Sequence, residues 1–326
     1  MIKLPERIPL ANLPTKIEKL ERFFKNSEKN IYIKRDDQTG MELSGNKVRK
    51  LEFALKEALD KKAKTLITCG GIQSNHARAT AAAAKKLGLK CILVLKSDEK
   101  PHPDGNHLLD LLLDAEIRLV KSEEFSENLE SILENIKREC DDKGEKGYIL
   151  PVGASNGIGT FGYVKAFEEI LEQEEKMKLE FDTIVCTVGS AGTYGGLLLG
   201  NQIYNLNKKI VGINVSNTAE YFSDRTKELF VEASEYLEKD YSVTDDEINI
   251  IDGYVGRGYA LSREEEIEFI KEFSKSEGII LDPVYTGKSM YGFSKELEKN
   301  TFKESKNILF IHTGGLFGLF PSRALF

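Results

Sequence analysis

Three short segments carry residue types that could do chemistry. In Ser44-Gly45-Asn46-Lys47-Val48-Arg49-Lys50, Lys47 stands at the start of a helical pattern. A cation is unfavourable there against the helix dipole, and a lysine in such a setting is a candidate nucleophile toward carbonyl compounds. The second segment, Gly189-Ser190-Ala191-Gly192-Thr193-Tyr194-Gly195-Gly196, follows an apolar run. Its glycines let backbone amides approach an oxyanion, and Ser190 and Thr193 add hydroxyl donors. It resembles a phosphate cradle opening a helix, although the Gly-Lys-Ser/Thr end of a Walker loop is missing. The third, Gly70-Gly71-Ile72-Gln73-Ser74-Asn75-His76, leads into an alanine-rich helix. Ser74 and Asn75 are good N-cap types, and free amides at that helix start suit a carboxylate or phosphate.

The elements that must position these segments are written as alternating strands and helices. Leu51, Ala54, Leu55, Ala58 and Leu59 recur at helical spacing. Strands are expected at 65–69, 91–95, 116–120, 148–152, 183–188, 210–215 and 307–312. Helices are expected at 76–87, 106–115 and 122–140, from Thr193, within 218–239, around 263–275 and after Gly287. Strands separated by helices imply βαβ units, so the expected class is α/β with parallel sheets. In such sheets ligands bind beyond the carboxyl ends of strands, where all but the Lys47 segment lie.

Composition excludes several alternatives. The 326 residues carry 46 Lys and Arg against 53 Asp and Glu, a net charge of -7, so nothing global argues for nucleic acid. No apolar run reaches the roughly 18–20 residues of a membrane span. The first residues lack the apolar stretch of a signal peptide, and Cys69, Cys91, Cys140 and Cys186 form no zinc pattern. A reducing cytosol is the expected compartment, and no metal is expected. His102 and His107 flank a turn-like Pro-Asp-Gly-Asn and read as a surface loop. Gly157-Ile158-Gly159-Thr160-Phe161-Gly162 is a literal G-x-G-x-x-G and would support a nicotinamide oxidoreductase. Asp182 lies at the right distance but precedes its strand, at the wrong end to meet a ribose. A close helix–strand packing turn, or a loop facing a ligand, is the preferred reading.

A reactive lysine, a phosphate cradle and a carboxylate-type loop are the parts that a pyridoxal phosphate enzyme needs. The segments 44–53 and 70–76 and the run Asp282-Pro283-Val284-Tyr285-Thr286-Gly287-Lys288-Ser289 together resemble one family. It is the D-cysteine desulfhydrase and 1-aminocyclopropane-1-carboxylate (ACC) deaminase family of fold-type II pyridoxal phosphate enzymes. Gly258-Tyr259-Ala260-Leu261 and His312-Thr313-Gly314-Gly315 extend the resemblance over essentially the whole chain.

The resemblance implies a small domain, 47–159, inserted into a large one formed by 1–46 and 160–326, with the cofactor between them. It implies that Lys47 holds pyridoxal phosphate covalently, and that Lys50 and Gly189, Ser190, Ala191, Gly192 and Thr193 hold its phosphate. Asn75 would meet the pyridine hydroxyl, and Ser74, Asn75 and His76 the substrate carboxylate. Tyr259 and Tyr285 would face the substrate and Thr313 the ring nitrogen. A homodimer is also implied.

One position separates the family's two activities. ACC deaminases carry Glu after the tyrosine matched by Tyr285, whereas this chain has Thr286. A carboxylate keeps the pyridine protonated and the electron sink strong; hydroxyls at Thr286 and Thr313 cannot supply that charge. Thiolate is the easier leaving group, so the expected reaction is elimination of hydrogen sulfide from D-cysteine. ACC, β-chloro-D-alanine and L-cysteate are the alternative substrates.

Overall fold

The computed structural model describes residues 2–326. In chain order its elements are β1 (Ile17–Lys19), β2 (Asn30–Lys34), α1 (Lys47–Asp60), β3 (Thr65–Gly71), α2 (Asn75–Lys86), β4 (Lys90–Lys96), α3 (Gly105–Leu112), β5 (Glu116–Val120), α4 (Ser122–Asp142) and β6 (Gly147–Ile149). There follow α5 (Gly157–Met177), β7 (Thr183–Val188), α6 (Gly192–Ile203), β8 (Lys209–Asn214), α7 (Ala219–Ser234), β9 (Ile250–Ile251), α8 (Glu264–Glu277), α9 (Thr286–Glu298), β10 (Asn307–Ile311) and α10 (Leu316–Leu319). The α/β class holds, and helix and strand periodicities fall where the apolar spacing puts them. Three strands lie outside the expected set. β1 and β9 are very short, and β2 is a five-residue run whose Ile31 and Ile33 alternate into the core, Ile31 opposite Ile308 of β10.

The strands form two sheets, ordered β1-β2-β10-β7-β8-β9 and β5-β4-β3-β6. All pairings are parallel except β1 with β2. In the smaller sheet the order reverses between β3 and β6. In the larger one it reverses between β7 and β10. Loops leaving the carboxyl ends of strands diverge at such switch points and leave a crevice. The loops after β3, β6, β7 and β10 are therefore the ones able to build a site.

Helix α1 is the joint between these loops and the core. Its Arg49, 2% exposed, reaches Asp36 with Nη2 at 2.8 Å and Glu169 of α5 at 2.9 Å. Lys34 donates to the same Glu169, and Tyr163 to Asp36. Burying two cations with two carboxylates is tolerable because each charge is paired and hydrogen-bonded; Arg49 and Lys34 hold the Asp36 carboxyl at about 2 despite its burial. This cluster fixes the face of α1 opposite to the one that begins at Lys47.

The G-x-G-x-x-G run is neither a nucleotide loop nor a ligand-facing loop. It forms the first turns of α5, and its contacts are helix to helix, whereas a helix–strand turn was the expectation. A Cβ on Gly162 would lie 2.5 Å from the Arg49 carbonyl carbon, and one on Gly157 2.5 Å from the backbone of Glu232. Gly162→Ala must push α1 from α5, against backbone that cannot turn aside. A loss of about 1–3 kcal/mol is expected, read as a lower urea midpoint; an unchanged midpoint would contradict this packing.

His107 also departs from expectation. It is 5% exposed within α3, not on a surface loop. The expected strand 148–152 ends at Ile149, just ahead of Pro151, which has no N–H to donate to a ladder. All four cysteines are buried thiols. No helix among the described residues is long and apolar enough to cross a membrane, and among those residues no group of three potential ligands is gathered for a metal.

Candidate active site

The crevice at the two switch points is a cleft of about 730 Å³, open solvent at its mouth included. Its wall is supplied by Gly70, Gly71 and Ser74–His76 after β3, Val152 and Gly153 after β6, and Thr187, Gly189, Ser190, Ala191 and Thr193 at the end of β7 and beyond. Thr313 and Gly314 follow β10, and Asn46, Lys47, Tyr259 and Tyr285 complete it. Three segments far apart in sequence thus meet as the strand-end rule requires. Three expected residues lie off this surface: Lys50, Gly192 and Thr286.

Lys47 is the first residue of α1, and its Nζ donates to Asn46 Oδ1 at 3.0 Å. Asn46 Nδ2 in turn donates to Thr193 Oγ1 at 2.9 Å, tying the lysine to the cradle. Burial lowers the Lys47 pKa to about 8; the Asp282 carboxylate opposes the shift and Arg78 adds to it. An amine in that range is a usable nucleophile or base near neutral pH.

The cradle is a strand-to-helix turn in which Ala191 takes a left-handed conformation, φ +58°, just ahead of α6. No side chain caps that helix; the Gly192 amide donates to the Ser190 carbonyl at 2.8 Å, and those of Thr193 and Tyr194 remain available to an anion. Behind it, Lys50 is fully buried and donates to Ser155 Oγ at 2.8 Å, and Ser155 Oγ donates to Ser190 Oγ at 2.9 Å. A Cβ on Gly192 would lie 2.6 Å from Ser155 Oγ and 3.0 Å from Lys50 Nζ. Glycine there lets ammonium and hydroxyl close on the helix start. Burial, and secondarily Lys47, pull the Lys50 pKa well below its ordinary value. A buried amine with only a hydroxyl partner is what an incoming anion would satisfy.

On the facing wall Ser74 caps α2, its Oγ accepting from Ala77 N at 3.1 Å. Asn75 Oδ1 accepts from Asn106, which leaves the Asn75 amide donors uncommitted. Thr68 Oγ1 donates to the Leu150 carbonyl, so it accepts from His76 Nε2 at 2.8 Å. Burial first, then Lys47 and Lys50, hold the imidazole neutral. His76 therefore contributes a neutral ring, not a second cation, beside the helix N-terminus.

Tyr259 and Tyr285 touch hydroxyl to hydroxyl over the mouth of the cleft. Tyr285 is raised well above the ordinary phenol range by burial and by Tyr259, so it is a proton donor. Asp282 fixes the start of α9 by accepting from the backbone N–H of Val284, Tyr285 and Thr286 at 2.8–3.0 Å. It also accepts from Thr286 Oγ1 at 2.7 Å. Thr286 is thereby turned away from the cleft and fully buried, whereas the resemblance put its hydroxyl near the ring nitrogen. Thr313, after β10, lines the cleft and Thr286 does not.

Ser155, Thr187 and Asn46 belong to the site and were not singled out by sequence. Ser155 lies in the loop after β6, where the same strand-end reasoning would have found it.

The chain matches the family model for pyridoxal-phosphate dependent enzymes over residues 8–314. It is 46% identical over 316 residues, 96% of this chain and 97% of the relative, to a Thermotoga maritima protein named "Putative 1-aminocyclopropane-1-carboxylate deaminase". It is 43% identical over 95% of its length, and 78% of the relative's, to the bifunctional mitochondrial D-cysteine desulfhydrase/1-aminocyclopropane-1-carboxylate deaminase of Arabidopsis thaliana. A solved ACC deaminase homologue superposes with a TM-score of 0.90 at 40% identity, covering 98% of this chain and 95% of that one.

The residues present fit the family's cofactor. A buried Lys50 whose partner is a hydroxyl and not a carboxylate, together with the glycine cradle, suits its phosphate, and Lys47 suits its aldehyde. Free-base amine grows as pH rises through about 8. The rate of covalent capture, followed as visible absorbance, is expected to rise with pH and reach half its maximum there. A rate independent of pH would contradict the lowered Lys47 pKa. The family match, the relatives and the fit of this cleft together establish that the chain is a pyridoxal-phosphate dependent enzyme of the ACC deaminase and D-cysteine desulfhydrase group.

Proposed function

We propose that the chain catalyses β-elimination of D-cysteine, with water, to pyruvate, ammonia and hydrogen sulfide. The observation that carries this reading is the absence of any Asp or Glu among the residues lining the cleft. The nearby Asp282 spends both oxygens on the start of α9 and on Thr286. When bound, pyridoxal phosphate supplies the electron sink that makes an α-proton acidic, and a carboxylate at its ring nitrogen would strengthen that sink. Hydroxyls alone favour the easier reaction, in which a thiolate departs. The choice of the D enantiomer rests on the resemblance to desulfhydrases and on the name of the Arabidopsis relative. ACC opening is the second reading, favoured by the name of the Thermotoga relative.

In this reading the substrate carboxylate rests on Ser74, Asn75 and the start of α2. Lys47 Nζ takes the α-proton, since its lowered pKa suits a base. Tyr285, held protonated, donates to the departing sulfur. The C–S bond breaks as the α,β double bond forms, and hydrolysis of the released enamine gives pyruvate and ammonia. We take 47–159 as the inserted domain on whose edge this cleft opens. The smaller sheet lies wholly within it, although its boundary at 159 falls inside α5.

The test is sulfide release by the loaded enzyme from each cysteine enantiomer, with pyruvate measured in parallel. Sulfide and pyruvate in equal amounts from D-cysteine, with little from L-cysteine, is the expected result. Equal rates with both enantiomers, or no sulfide at all, would overturn the proposal.

A further inference from the structure

Tyr259 reaches the cleft from the tip of a turn, residues 255–261, that belongs to no helix and only to an isolated bridge between Gly258 and Leu261. The turn has little apolar anchorage of its own: Tyr259 is 47% and Leu261 56% exposed. Three of its residues have positive φ, namely Gly256, Gly258 and Ala260. That path points the carbonyl oxygens of Val255, Gly258 and Leu261 inward, toward one spot.

The spot is filled by Lys288 of α9. Its Nζ donates to the three carbonyls at 2.6, 2.8 and 3.3 Å, and the residue is fully buried. Burial lowers its pKa and Glu266 of α8 opposes the shift. A Cβ on Gly256 would lie 3.0 Å from the ammonium, so glycine is needed for the turn to close around it. Lys288 is one helical turn from Tyr285, whose hydroxyl meets that of Tyr259. One side chain thus links the helix that presents one tyrosine to the turn that presents the other.

We propose that Lys288 is a positioning residue that acts as a tethered monovalent cation, holding the carbonyls of the 255–261 turn so that Tyr259 stays over the cleft against Tyr285. An ammonium and a potassium ion both satisfy convergent carbonyl dipoles, so the same carbonyls can be closed by a free ion once the side chain is removed. An ordinary packing role for Lys288 would not show that property. The inference rests on the cleft's geometry, not on which amino acid is consumed.

Lys288→Ala and Lys288→Met are compared with the parent chain in KCl and in choline chloride at equal ionic strength. Amide hydrogen exchange is read over 253–262 without cofactor, and turnover with it. In choline chloride both variants are expected to lose protection in this turn, including the Arg257 and Leu261 amides, with the rest of the chain unchanged. Their kcat/KM should fall by about 10- to 100-fold, the scale for a misplaced group. Potassium should restore protection and rate to Lys288→Ala, where it finds space, and not to Lys288→Met, whose stem fills it. Protection unchanged in either variant would overturn the proposal. So would a loss in Lys288→Ala that potassium does not reverse. Because exchange is measured without substrate or cofactor, failure of the cysteine reading leaves it intact.

Discussion

Lys47→Ala is expected to lose the visible absorbance that pyridoxal phosphate gives the parent protein, and to lose turnover by about 10²- to 10⁴-fold, the range for removing a positioned base. The side chain makes one hydrogen bond, to Asn46 Oδ1, on the cleft side of α1. Arg49 and its buried partners hold the other face of the helix, so the variant should fold with an unchanged urea midpoint. Its cofactor should still enter, held by the cradle, but without a covalent bond. A Lys47→Ala protein that regains the parent's absorbance on reconstitution would show that another lysine carries the cofactor. Lys50 is the obvious one to check.

Lys50→Met separates the two lysines. Methionine follows the volume of the lysine stem and removes a buried amine whose partner in the protein is the hydroxyl of Ser155. Without cofactor the variant should be as stable as the parent or more so, because burying an amine without a counter-charge is costly. With cofactor the sign reverses. Deleting one member of a buried charge pair costs about 2–5 kcal/mol, equivalent to a dissociation constant raised by a factor of roughly 30 to several thousand. Titration with pyridoxal phosphate should show weak binding that still ends in the parent's visible absorbance. Unchanged affinity would remove Lys50 from the phosphate site. Lys47→Ala changes the kind of bond, whereas Lys50→Met changes its strength.

Much of the site was legible because strand ends are legible. The runs before Gly70, Gly189 and His312 read as buried strands, and the rule that ligands gather beyond their carboxyl ends led to the loops that now line one cleft. Lys47 could be separated from 34 other lysines by its place at a helix start. What was not legible depended on direction or on backbone. Thr286 is one residue from Tyr285, yet at the opening of a helix that step turns its side chain away from the cleft, where Asp282 takes the hydroxyl. The partners of Lys288 are carbonyl oxygens, which every residue has, so no pattern of side chains announces them. Arg49 finds Asp36 13 residues back and Glu169 120 residues on, a pairing set by how α1 and α5 cross. The glycines of 157–162 followed a familiar motif, but the motif's physical content is a strand leading into a loop; here the chain is already helical.

The position of Thr286 also changes how the substrate argument is tested. Thr286→Glu would put a second carboxylate against Asp282 in a fully buried place, and like charges so close destabilise the fold whatever the ring nitrogen needs. The substitution therefore cannot report on the sink alone. The pairing of substrates on the unaltered enzyme can. With pyridoxal phosphate bound, kcat/KM for sulfide release from D-cysteine is compared with kcat/KM for ammonia release from ACC on the same preparation. A cleft lined by hydroxyls and no carboxylate is expected to favour D-cysteine by about 100-fold or more, a difference of some 3 kcal/mol between the two barriers. Equal values, or a preference for ACC, would contradict the account.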